Sequence, residues 1–194
     1  IDARRKADRS CPEGKITVTY RRKTKGAELV FADNGIGLTK EEIHSFLSVI
    51  GQSSKRNENM RSSFIGQFGI GLLSCFLVAN EIKVITRSIA EEKPYQWVGK
   101  SDGSYVIAES KKALDPGTQV YLHLTGSMYD FFTEQEIVSD LSEYGFLLRT
   151  PVFFDGENLK KAVNNNLIPW RQSFSMADDI MGFGGQVFEE TFFD

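Results

Sequence analysis

Cysteine is nearly absent from this chain: Cys11 and Cys75 are the only two among 194 residues. Two thiols cannot build a disulfide framework, which points to a reducing compartment. A dominant charge sign is missing too, with 23 Lys and Arg against 26 Asp and Glu, a net charge of −3. That balance excludes binding to nucleic acid by bulk positive charge. It also lacks the high charge and low apolar content of a disordered chain. No apolar run reaches the roughly 18 to 20 residues of a membrane span. The chain begins at Ile1 rather than Met, and its first residues lack the pattern of a signal peptide. What is present is 41% apolar residues and 17 glycines, enough for one good core.

The periodicity is that of a mixed α and β chain, with strands outnumbering helices about two to one. Ile1 to Arg9 reads as the last turns of a helix, its basic residues near the C-terminal end. Lys15 to Arg22 and Glu28 to Ala32 alternate apolar and polar around a Thr24-Lys25-Gly26 turn, a hairpin with a basic, solvated tip. Thr39 and Glu42 form a capping box for a helix burying Ile43, Phe46, Leu47 and Ile50. Residues 51–63 are polar and weakly patterned, as in a mobile loop, and Leu72 to Ala79 reads as a buried helix. Strands are expected at Ile82 to Thr86, Tyr95 to Gly99, Ser104 to Glu109 and Thr118 to Leu124, as antiparallel neighbours. A second capping box, Thr133 with Glu136, opens a helix to Leu148 with the face Ile137, Leu141, Tyr144, Leu148. Asp155-Gly156 marks a further hairpin between residues 150–154 and 159–163.

Two glycine-rich loops carry the chemistry. Asp33-x-Gly35-x-Gly37 ends a strand, where an acidic residue has no evident core role. Its carboxylate can accept a hydrogen bond from the exocyclic amine of adenine, and a base presenting a carbonyl there is rejected. The alternative is an ordinary Asp-Asn-Gly surface turn. Gly66-x-x-Gly69-x-Gly71 opens into a helix, where successive backbone N–H groups form an anion site. No Lys-Ser/Thr follows it, so it is not a Walker loop. The two loops together, separated by a helix and a polar segment, make a stronger signal than either alone.

Residues 33–39 (DNGIGLT), residues 64–71 (FIGQFGIG) and Pro116-Gly117-Thr118 before a strand resemble the GHKL ATPases, the superfamily of gyrase, heat-shock chaperones, histidine kinases and MutL. GQFGIG followed by LLSCFLVA is similar to the 90-kDa heat-shock chaperones of bacterial HtpG type, and the match is good from Ile1 to Thr125. The resemblance implies an α/β, or α+β, two-layer sandwich of the Bergerat type: a mixed, mostly antiparallel sheet with helices on one face. It implies ATP/ADP as ligand, with Asp33 on the adenine amine, Gly37 at the base through backbone and water, and Thr118 adding a hydroxyl. Leu38, Leu47 and Val120 would wall the base. Gly66, Gln67, Phe68, Gly69, Ile70, Gly71 and Leu72 would cradle the phosphates, and residues 51–63 would be the lid.

The chain departs from the family at Leu72, Phe46 and Gln52, where the chaperones have an aromatic residue, a polar residue and a lysine, and its lid is short. These departures mark a divergent, bacterial subfamily. In the family a helix upstream of the first strand carries a catalytic glutamate and an asparagine that holds Mg²⁺. Both would precede Ile1, so the chain as given is expected to bind nucleotide without hydrolysing it. Residues 1–165 are read as the nucleotide-binding domain and 166–194 as a linker and the start of a following domain. Client proteins and a homodimer formed through a C-terminal domain would be the parent's partners, in the cytoplasm, with no role for nucleic acid or membrane. The rivals are a MutL-like or MORC-like GHKL ATPase and a nucleotide-sensing pseudo-ATPase. His44 and His123 lack a third ligand nearby for a metal. Cys75 and Trp97 are read as packing residues, and Cys11 as a loop thiol.

Overall fold

The computed structural model describes residues 1–7, 10–47, 72, 74–124, 132–145, 148 and 150–164, with backbone alone for Arg5, Phe46 and Leu47. Strand β1 (Ile16–Lys23) turns through Thr24 and Lys25 into β2 (Gly26–Asp33), pairing Ile16 with Asp33 and Lys23 with Gly26. Strands β3 (Glu81–Arg87), β4 (Tyr95–Lys100) and β5 (Tyr105–Glu109) form an antiparallel meander. Strand β6 (Gly117–Leu124) does not extend that meander. It inserts between β3 and β2 and joins the two ladders into one sheet. Strands β7 (Val152–Asp155) and β8 (Lys160–Ala162) close the far edge, giving the order β5-β4-β3-β6-β2-β1-β7-β8. The β1–β7 pair is parallel and the others are antiparallel, so the sheet is mixed as expected.

Period-two patterning makes one face of this sheet apolar. Val18, Tyr20, Ala27, Leu29, Ile82, Val84, Trp97, Leu122, Leu124, Val152 and Phe154 share that face and form the core. Helices α2 (Lys40–Leu47) and α3 (Glu134–Gly145) cover it, contributing Ile43 from the first and Ile137 and Val138 from the second. Both capping boxes form. The Thr39 and Thr133 N–H groups donate to the Glu42 and Glu136 carboxylates, whose own N–H groups donate back to the threonine hydroxyls. The short helix α1 (Asp2–Ala7) precedes β1.

Three local expectations change. The stretch at residues 72–79 is helical at the described residues Leu72 and Ser74, but it is not buried on all sides. Its described part tightens into a 3-10 turn, Cys75–Leu77, with Leu77 80% exposed and Ala79 buried. Apolar composition alone did not set its orientation, because burial depends on what stands opposite. Helix α3 ends at Gly145, and Tyr144 lies 78% exposed because the buried stripe runs through Ile137, Val138 and Leu141 instead. The β1–β2 tip is more than a solvated turn. The Arg21 guanidinium donates to the Asp155 carboxylate at 2.6 Å, tying β1 to the end of β7. Residues 165–194, and with them the proposed domain boundary, lie outside the described residues.

Candidate nucleotide site

The register of three strands assembles the site. Asp33 at the end of β2 stands opposite Thr118 on β6, and Thr118 stands opposite Thr86 on β3. Residues paired across a ladder project to the same face, so the carboxyl and two hydroxyls form a row on the core side of the sheet. The row lies at the open end of the core, next to the loop that follows β2.

Backbone geometry holds that loop close. Gly35 N–H donates to Asp33 Oδ1 at 2.7 Å, fixing the carboxyl in an Asx turn. Gly37 has φ +70°, and a Cβ there would lie 1.9 Å from the Arg87 carbonyl oxygen. Ile89 N–H closes the approach with a 3.0 Å bond to the Ile36 carbonyl. On the other side, a Cβ at Gly117 (φ +145°) would lie 2.2 Å from the Asp33 carbonyl oxygen. Only glycine permits either contact. Arg4 of α1 donates to the carbonyls of Asn34, at 2.7 Å, and Pro116, at 3.1 Å, so one guanidinium clamps the residues next to Asp33 and Gly117.

Burial raises the Asp33 pKa above its usual value of 3.8, and the Gly35 N–H and the Thr118 backbone oppose the rise. A carboxyl held in a partly apolar end of the core and fixed by backbone hydrogen bonds is a strong acceptor for a donor brought by a ligand. Thr86 is 1% exposed, and its hydroxyl contacts the Leu38 N–H (2.9 Å), the Gly117 carbonyl (3.0 Å) and the Thr118 hydroxyl (3.0 Å). Leu38 and Val120 are half-buried and pack against the core cluster beside this row.

The structure therefore brings Asp33, Gly37, Leu38, Thr118 and Val120 together. Leu72 packs against the same core cluster. The phosphate loop Gly66 to Gly71, the lid at residues 51–63 and the Leu47 side chain lie outside the described residues. Trp97 is 1% exposed, stacks on Tyr105 at 6.4 Å between ring centroids and packs in the sheet core. Cys75 is half-buried, and burial pushes its thiol pKa up, which makes it a poor nucleophile. Sequence reasoning missed Arg4 and Thr86. Thr86 carried one signal, a threonine continuing the alternating apolar positions Ile82 and Val84. Arg4 carried none, since its partners are backbone carbonyls distant in sequence.

These features are those of a nucleotide-binding sheet domain of ATPase type. The chain belongs to the family of histidine kinase-, DNA gyrase B- and HSP90-like ATPases, whose family model matches residues 2–122. Among its relatives, the chaperone protein HtpG of Rickettsia bellii is 28% identical over 176 residues, covering 84% of this chain and 28% of the relative. The mitochondrial 75-kDa heat shock protein of Rattus norvegicus is 33% identical over 140 residues, 68% of this chain and 20% of the relative. The mitochondrial TNF receptor-associated protein 1 homolog of Dictyostelium discoideum is 35% identical over 158 residues, 77% of this chain and 22% of the relative. The chain thus spans about a quarter of the length of these relatives. Within the family it is an HtpG-like chaperone ATP-binding domain, and these relatives favour that reading over a MutL-like or MORC-like one.

Proposed function

We propose that the Asp33–Thr118 row holds the adenine of ATP or ADP, and that nucleotide occupancy drives the clamp cycle of a chaperone. The observation that carries this reading is the Asp33 carboxyl, largely buried, held by the Gly35 N–H and flanked by Gly37 and Thr118. Asp33 accepts from the exocyclic amine, and Gly37 lets backbone approach the ring plane. Leu38, Leu47 and Val120 wall the base, and residues 66–72 take the phosphates through backbone N–H groups. Residues 51–63 act as the lid, whose closure gates the cycle.

Mg²⁺ accompanies nucleotide in this reading. Among the described residues, no group of three or more His, Cys, Asp or Glu side chains could hold a metal ion. These described residues do not fit a protein-built metal site. In a longer parent, the same occupancy would bias a homodimer toward its closed state around client proteins in the cytoplasm.

Calorimetry with ADP on wild type and on Asp33→Asn tests the adenine assignment. Wild type should bind and the variant should lose roughly tenfold or more, since a lost charged acceptor is worth about 1.5–3 kcal/mol. Equal affinities would overturn it.

A further inference from the structure

The hydrogen-bond inventory around Thr86 carries a consequence for base selection, and it rests on the adenine reading above. A hydroxyl has one hydrogen to give and two lone pairs. The Thr86 hydroxyl lies 3.0 Å from the Gly117 carbonyl, which can only accept, so its hydrogen is committed there. One lone pair takes the Leu38 N–H at 2.9 Å. The remaining contact, 3.0 Å to Thr118 Oγ1, is then satisfied only if Thr118 is the donor. The opposite direction would take the hydrogen from the Gly117 carbonyl and make two bonds where the first arrangement makes three. At a residue 1% exposed, no solvent compensates for that loss.

We propose that Thr86 is a positioning residue that locks the Thr118 hydroxyl into an acceptor-only state toward the pocket. Thr118 stands directly opposite Asp33 across the β2–β6 ladder, and the Asp33 carboxylate also only accepts. Toward a ligand at this end of the sheet, the two side chains therefore both present acceptors. A group seated there must bring hydrogens to both, as a primary exocyclic amine does. A ring carbonyl in the same place brings none, and it meets two oxygens with no rotatable donor to relieve them. Asp33 by itself selects for an amine. With Thr118 locked, the selection is made twice, and Thr86 sets the second half without touching the ligand.

The test compares ADP with inosine diphosphate, which carries a carbonyl where adenine carries its amine, by calorimetry on the full chain. Wild type should prefer ADP. In Thr86→Val the Thr118 hydroxyl is free to turn its hydrogen toward the ligand, so the ADP-to-inosine ratio should narrow by roughly tenfold, about 1.4 kcal/mol. Thr86→Ser keeps the hydroxyl and should keep the ratio. A purely structural role for Thr86 would weaken both nucleotides together and leave the ratio unchanged, which would overturn the proposal. Thr118→Val gives a second arm that leaves the buried Thr86 in place: it should weaken ADP and spare inosine diphosphate, and an equal or larger loss for inosine diphosphate would sink the idea. Wild type that binds no ADP would instead overturn the adenine reading, and this inference with it.

Discussion

At the scale of single residues, the burial of Asp33 works against the stability of its charged form. Its pKa is raised chiefly by burial, so the folded state keeps the proton to higher pH than the unfolded chain does. The stability that this contributes is full below the ordinary value of 3.8 and is lost as pH rises through the raised folded value. Asp33→Asn removes that titration. The thermal midpoint of the unliganded variant should therefore gain on that of wild type as pH rises from about 3 to about 7. A gap that stays constant with pH would show that burial of the charge is not the cause. Gly37 behaves oppositely. Its positive φ and the Arg87 carbonyl oxygen, 1.9 Å from where a Cβ would stand, leave no room for a side chain. Gly37→Ala should cost on the order of 1–3 kcal/mol in urea unfolding and weaken ADP binding as the loop is pushed off β3.

Elements are stabilised by contacts between neighbours rather than by propensity alone. The β7–β8 hairpin is short, yet three side chains clasp it. Arg21 and Lys160 reach Asp155, whose carboxyl is held below its usual value by the Lys160 hydrogen bond first and Arg21 second. Glu134, buried at the start of α3, accepts from the N–H groups of Glu157 at 2.7 Å and Asn158 at 3.1 Å. Glu134→Ala should leave those two donors without a partner, at about 1–3 kcal/mol. Faster hydrogen exchange at amides 157 and 158 than at those of β6 would report it. Thr133→Ala, which removes only the adjoining cap, should cost about 1 kcal/mol and spare those amides. The capping boxes were legible in the sequence because cap and partner are three residues apart. The clasp was not, because Arg21 and Asp155 are separated by 134 residues.

At the scale of the whole molecule, the described strands form one sheet whose centre is built by a late strand. Strand β6 joins the β1–β2 hairpin to the β3–β5 meander, and without it Asp33 and Thr86 would belong to separate ladders. Nucleotide that binds between β2 and β6 binds the folded state alone. ADP at a hundred times its dissociation constant should add about 2.7 kcal/mol to global stability. That corresponds to a rise of roughly 5–10 °C in the thermal midpoint. The shift should fall to about half or less in Asp33→Asn while the unliganded midpoint does not drop, which separates lost binding from lost folding. Arg4→Ala, which frees the Asn34 and Pro116 carbonyls, should reduce the shift without abolishing it.

The sequence by itself determined the local features: the alternating strands, both capping boxes, the two glycine loops and the acidic residue that ends β2. Each is written in residues close enough in the chain for periodicity or spacing to report them. Only the tertiary structure decided that β6 lies between β2 and β3, that Leu77 and Tyr144 face solvent, and that Thr86, Thr118 and Asp33 stand in one row. Register between strands distant in the chain is set by which apolar faces close over one another, and local periodicity is the same for any such pairing. The place of the Thr86 hydroxyl in that row is therefore a product of strand order, which the threonine itself does not announce.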